Sequence, residues 1–216
     1  MTEKFIKNEQ FNFIKTQIAL IKDSMKKNVA PTVLAAVIDV ANAKILELFP
    51  NATQEQQEML DLSGLNTDIE YDQYIEQLSS SVVPFLEITE QQLKKLFPKN
   101  KKLKLPDLSK IGLDKLTYLS WNDLSSNKKF IVYELEGKIA GIECKFTPSS
   151  KDNICSFCNR FGHVTYISTV TKQKKSKNPD YYKAIGNYIC TDSSECNKRI
   201  TNTDYLTLFL KESLGM

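Results

Sequence analysis

Among its 216 residues the chain has one histidine, one tryptophan and only seven glycines. A single histidine excludes any mechanism that needs two. The phosphate- and nucleophile-bearing signatures Gly-x-x-x-x-Gly-Lys, Gly-x-Gly-x-x-Gly and Gly-x-Ser-x-Gly are missing, as are His-Glu-x-x-His and the deaminase pattern His-x-Glu with Pro-Cys-x-x-Cys. The expectation is a protein that is not an enzyme. No run approaches the roughly 20 consecutive apolar residues of a membrane span, and Met1-Thr-Glu-Lys4 has neither the basic nor the apolar region of a secretory signal. A cytoplasmic protein with no membrane partner is therefore expected. In a reducing compartment its five cysteines make a poor disulfide framework.

What is present suits a soluble globular chain, with 41% hydrophobic and 25% charged residues, enough for one large domain or two small ones. The net charge of +3 conceals an asymmetry: residues 1–83 hold 7 Lys and no Arg against 12 acids, while 84–216 hold 22 basic residues against 14 acids. The halves carry −5 and +8. This polarity favours two domains, 1–83 and 84–216, and suggests that the second meets an acidic surface, nucleic acid or protein, although a solvated basic face reads the same way.

Apolar residues in the first half recur at helical spacing. Phe11, Ile14, Ile18, Ile21 and Met25 form one stripe; Leu34, Val37, Ile38, Ala41, Ile45 and Leu48 form a second after Pro31. Thr53 with Gln56, Thr67 with Glu70, and Thr89 with Gln92 have capping-box spacing and mark three further helix starts, the last running to Phe97. Short connections between the first four predict a small antiparallel helical bundle whose stripes face each other as core. Ser79-Ser80-Ser81 before Pro84 reads as a hinge. Beyond a lysine-rich run at 94–104 the period becomes strand-like, with Phe130–Leu135 and Ile139–Phe146 flanking Glu136-Gly137 as a hairpin. Further strands are expected at His163–Thr171 and Asn187–Thr191, a polar loop with four lysines at Lys172–Asp180, and a last helix from Asp204 to Leu214 carrying Tyr205, Leu208 and Phe209.

Cys155 and Cys158 form a Cys-x2-Cys knuckle, and Cys190 and Cys196 a Cys-x5-Cys pair thirty-one residues on. One knuckle plus a distant pair is how four thiolates reach a tetrahedral metal. The expectation is one structural Zn²⁺ that ties a hairpin to a helix, as in a treble-clef finger. Filled by four thiolates, the metal has no open position for water and holds structure only. Arg160, Lys198 and Arg199 are candidate cations to offset its excess negative charge. His163 as a fourth ligand beside three cysteines, or four metal-free buried cysteines, fits less well. Cys144 reads as a small buried hydrophobe in a strand.

Taken in order, the helical half, Val83-Pro84-Phe85, Leu103-Lys-Leu-Pro106, Ser120-Trp-Asn-Asp-Leu-Ser-Ser-Asn-Lys-Lys-Phe130, the knuckle, Gly186-Asn-Tyr-Ile-Cys190 and Asp192-Ser-Ser-Glu-Cys-Asn-Lys198 resemble the elongation factor G-binding proteins of the FusB type. The resemblance spans nearly the whole chain. It implies an α+β protein of two domains, an antiparallel helical bundle followed by a treble-clef zinc domain. A protein of this type is expected to bind elongation factor G on the ribosome as a monomer, to help release factor trapped by fusidic acid, and so to confer resistance. The contact surface it implies lies on the zinc domain, in the loop before the third ligand and on the last helix, which matches Tyr182, Lys183 and Phe209. Packing of an amphipathic helix accounts for Phe209 equally well. The competing function is a zinc-finger protein that binds RNA, including ribosomal RNA, through the lysine runs at 94–104 and 172–177 and aromatics such as Phe157 and Tyr181.

Overall fold

A computed structural model describes residues 4–172 and 182–216. The lysine-rich stretch beyond Lys172, with Tyr181, lies outside the described residues. The chain divides into two compact units, Met1–Val83 and Pro84–Met216.

Four helices make the first unit: α1 (Asn8–Lys26), α2 (Pro31–Glu47), α3 (Gln54–Leu60) and α4 (Asp68–Ser79). Local chemistry sets their starts. Pro31 opens α2 with φ already helical, and the Thr53 and Thr67 hydroxyls accept the backbone N–H of Gln56 and Glu70, whose side chains reach back to cap the threonine N–H groups. Helix α1 packs on α2 and α4, and α2 on α3. Ile14, Ile18 and Ile21 of the first stripe meet Ala41 and Ile45 of the second, with Leu60, Tyr71 and Leu78 completing the core. Each large side chain so buried is worth about 1.5–3 kcal/mol. The serine stretch is no hinge. Ser81 is buried, its carbonyl accepts the N–H groups of Phe5 and Ile6 at 3.0 and 3.1 Å, and Val82 bridges Ile6 in parallel, so these residues close the first unit.

The second unit begins with a capped helix, α5 (Glu90–Leu96), and is built on a five-stranded antiparallel sheet in the order β1-β2-β3-β6-β7. The strands are β1 (Leu119–Asp123), β2 (Lys128–Leu135), β3 (Lys138–Pro148), β6 (Val164–Val170) and β7 (Ala184–Cys190). A two-stranded hairpin of β4 (Asn153–Ile154) and β5 (Phe161–Gly162) interrupts the meander, and α6 (Ser193–Arg199) and α7 (Asp204–Leu214) follow it. Glu136 and Gly137 join β2 to β3 with both φ angles positive, 52° and 76°, the left-handed pair that a tight two-residue hairpin turn requires.

Strand alternation gives the sheet two different faces. Phe130 and Val132 point to one, where Leu119, Trp121, Phe85, Ile88, Leu93 and Phe97 join them. Trp121 stacks on Phe130 at 5.1 Å and donates its indole N–H to the Lys104 carbonyl, so the end of the basic run is bound onto the sheet. Ile131 faces the other side, with Ile142, Cys144, Ile167, Ile189 and the residues of α7 around the four remaining cysteines. Cys144 is a fully buried strand residue whose thiol burial pushes up to about 12.

Candidate metal centre

The knuckle occupies the turn between β4 and β5. Ile154 pairs with Phe161, the Cys155 N–H donates to the Arg160 carbonyl at 3.0 Å, and the Asn159 N–H to that of Cys155 at 2.8 Å. Asn159 takes the left-handed φ of 53° that closes the turn, a conformation asparagine tolerates better than most residues. A bond from the Ser156 N–H to the Tyr188 carbonyl, 2.9 Å, fastens the knuckle to β7. Cys190 is the last residue of that strand. Asp192 then caps α6 by accepting the Ser194 N–H at 2.7 Å, and the helix carries Cys196 inward. The second pair is thus divided between a strand end and a seven-residue helix separate from α7.

All four sulfurs lie within 4.8 Å of one another and all four cysteines are buried. Cys155 Sγ is 3.7 Å from Cys196 Sγ, and Cys158 Sγ is 3.6 Å from Cys190 Sγ. Zinc bound tetrahedrally at about 2.3 Å implies sulfurs about 3.8 Å apart, so the donor set fits Zn²⁺ in both chemistry and spacing. Hydrogen bonds from Cys158, Cys190 and Cys196 hold the Cys155 thiol well below its ordinary value, while hydrogen bonding with Cys155, Cys158 and Cys190, with burial added, holds Cys196 well above its own. A divalent cation removes that conflict by letting all four ionise. The Cys190 N–H donates to Cys155 Sγ at 3.2 Å, one of the backbone bonds expected around a thiolate ligand.

Of the cations expected beside the site, Lys198 and Arg199 pair instead with Glu195, at 2.7 and 3.2 Å, and Arg160 is exposed. A buried cation on the cluster's side of the sheet is Lys129, 1% exposed, whose Nζ donates to Asn122 Oδ1 at 3.1 Å. Burial holds its pKa down, opposed by the negative ends of Cys196, Cys144, Asp192 and Cys190. Strand alternation contained the signal, since Lys129 shares its face with Ile131. Tyr118, just before β1, is a second neighbour absent from the sequence reading. It is fully buried, and its hydroxyl has no hydrogen-bond partner among the described residues. His163 is not a ligand: its exposed ring lies 3.4 Å from Asp152 and outside the sulfur cluster.

The three expected contact residues separate. Tyr182 is 71% exposed just ahead of β7, and Lys183 beside it lies 3.7 Å from Glu212 of α7. Phe209 is only 3% exposed, packed edge-on against Phe157 at 6.0 Å and stacked on Tyr205. Its ring therefore belongs to the core and not to a contact surface. The reason is helical phase: Leu206, Phe209, Leu210 and Ser213 are the buried positions of α7, whereas Leu208 is exposed. Phe157, offered as a base-stacking aromatic, is likewise buried, at 4% exposure, and unavailable to RNA. No helix among the described residues is long and apolar enough to cross a membrane.

Comparison with known proteins agrees with this architecture. Residues 96–209 match the family described as FBP C-terminal treble-clef zinc-finger, and residues 5–86 match the family described as elongation factor G-binding protein, N-terminal. Among solved structures, that of the fusidic acid resistance protein FusC is similar, with 28% identity over 97% of each chain and a TM-score of 0.79. Comparison with curated proteins gave no match.

Proposed function

We propose, given that this chain belongs to the FusB-type elongation factor G-binding family with its C-terminal treble-clef zinc finger, that it binds elongation factor G, promotes release of that factor from the ribosome and so confers fusidic acid resistance. The observation that carries this reading is the match of both family models in succession along one chain, with the four-cysteine cluster inside the second.

Residues 84–216 make the contact, one chain to one factor, and act by binding rather than catalysis. Cys155, Cys158, Cys190 and Cys196 hold the structural zinc. When bound, Zn²⁺ supplies a tetrahedral cross-link with no open coordination position. The cysteines join the knuckle to the end of β7 and to α6, and so fix the strand that leads back to Tyr182 and Lys183. An exposed tyrosine beside a lysine is the usual composition of an interface anchor, because the ring contributes area at small entropic cost and the cation contributes orientation. The +8 charge of this half steers it toward an acidic partner, with an on-rate that falls as salt rises.

The release step is tested with ribosomes stalled by fusidic acid and labelled elongation factor G. Adding the protein should increase the rate at which label leaves the ribosome, and the Tyr182→Ala variant should do so less. Release at the spontaneous rate, despite saturating protein, would overturn this step. Binding that survives without the factor, tracks ribosomal RNA and has a steep salt dependence would favour the RNA reading instead.

A further inference from the structure

β7 stands at one edge of the five-stranded sheet, so alternate residues turn their backbone groups away from β6. The bonds at its two ends fix which residues these are. The Lys183 carbonyl accepts the Thr171 N–H at 2.8 Å, and the Thr191 N–H donates to the His163 carbonyl at 3.1 Å, so odd-numbered residues bond across to β6. Even-numbered Tyr188 bonds outward: its carbonyl accepts the Ser156 N–H of the knuckle at 2.9 Å, and its N–H donates to Asn187 Oδ1 at 2.8 Å. By the same alternation Ala184 and Gly186 turn both N–H and C=O outward, and these four groups have no hydrogen-bond partner among the described residues. At the opposite edge α6 covers the start of β1: the Ser193 hydroxyl donates to the Ser120 carbonyl at 3.2 Å, and Asn197 holds the Tyr118 N–H and carbonyl at 3.1 and 3.0 Å. Natural sheet edges are usually blunted by charge, proline or a bulge. Ala184-Ile-Gly-Asn-Tyr188 has neither charge nor proline and pairs with β6 one residue to one.

We infer that Ala184 and Gly186 receive an extended segment of elongation factor G, which adds to the sheet as a further strand beside β7. The inference rests on the factor-binding reading above and states how the partner is held. In this mode main-chain hydrogen bonds supply attachment and a neighbouring side chain supplies the anchor. Tyr182, at the next even-numbered position and 71% exposed, is placed for the second task. A second copy of this chain is the poorer occupant, because two halves of charge +8 repel each other while an acidic partner is attracted.

The test is hydrogen exchange of the full zinc-loaded chain, read at single amides with and without saturating elongation factor G. In the free chain β6 should protect the Ile185 and Asn187 amides, while those of Ala184 and Gly186 exchange freely; in the complex the latter two should slow by at least about tenfold. Ala184→Pro removes one outward N–H at the first position of the strand, where proline costs no bond to β6. In a variant that still carries one zinc, it should raise the Kd for the factor about two- to tenfold by titration calorimetry, the net worth of one hydrogen bond. Full binding heat with both amides exchanging as in the free chain, and Ala184→Pro binding as tightly as the wild type, would overturn the inference and leave factor binding standing. No heat with the wild type would overturn both. Protection of Ala184 and Gly186 that grows with the concentration of the free chain would give the edge to a second copy and overturn the inference as well.

Discussion

Removing the metal should unfold one unit and spare the other. The first unit has its own core of Ile14, Ile18, Ile21, Ala41, Ile45 and Leu78 and contains no cysteine. On one face of the second unit's sheet, the hydrophobic layer includes the four clustered cysteines themselves, together with Tyr118, Phe157, Ile189, Ile200 and Phe209. Binding of structural zinc by small domains contributes about 10–16 kcal/mol, and a whole domain is stable by about 5–15 kcal/mol. Loss of the metal therefore cancels the stability of the second unit. Trp121, the only tryptophan, lies buried on Phe130 in that unit, while most helical residues belong to α1–α4 in the other. A strong chelator should shift Trp121 emission to the red and leave most of the helical circular dichroism, with one cooperative melt remaining; Cys158→Ser should reproduce this. If zinc is shown to leave while Trp121 emission stays unchanged, the cross-link argument fails. Complete loss of helix along with the shift would show that the two cores are not independent.

Tyr182→Ala should weaken elongation factor G binding by at least about 1 kcal/mol, over fivefold in Kd by titration calorimetry, with an unchanged melt because the ring is 71% exposed. Phe209→Ala should act through the fold, costing about 3–5 kcal/mol in denaturant unfolding; an unchanged midpoint with lost binding would return Phe209 to the interface. Gly186→Ala should destabilise the β6–β7 pair by about 1–3 kcal/mol, since its Cβ would stand 2.5 Å from the Ile167 carbonyl oxygen and 2.6 Å from the Tyr166 hydroxyl. Lys129→Glu should prevent stable zinc loading, read by metal content, because it sets a buried anion beside the thiolates.

Features fixed by local chemistry were legible in the sequence. The three threonine capping boxes, the Glu136-Gly137 turn and the bounds of α7 depend on residues within a few positions of each other, and the knuckle spacing names its own chemistry. What escaped depends on contacts between distant residues. Helix α6 has only Cys196 and Asn197 buried, so it leaves no apolar period to read. β7 begins at Ala184, ahead of the expected Asn187, because pairing with β6 overrides the poor strand propensity of Ala184 and Gly186. The layer around Trp121 gathers residues 85–97, 119–121 and 130–132, and no single window contains it. Ser81 was misread from composition, since its burial comes from Phe5 and Ile6 at the other end of the first unit. Phe209 was different: the spacing of Leu206, Phe209 and Leu210 already marked an inward stripe, and the exposed choice on that helix is Leu208.

Titration of the zinc-loaded full chain with purified elongation factor G, followed by heat, tests the central claim most directly. Saturable binding at one chain per factor, lost on chelation and weakened by Tyr182→Ala, is the predicted result. Absence of heat, with both proteins folded and the chain carrying one zinc, would contradict it.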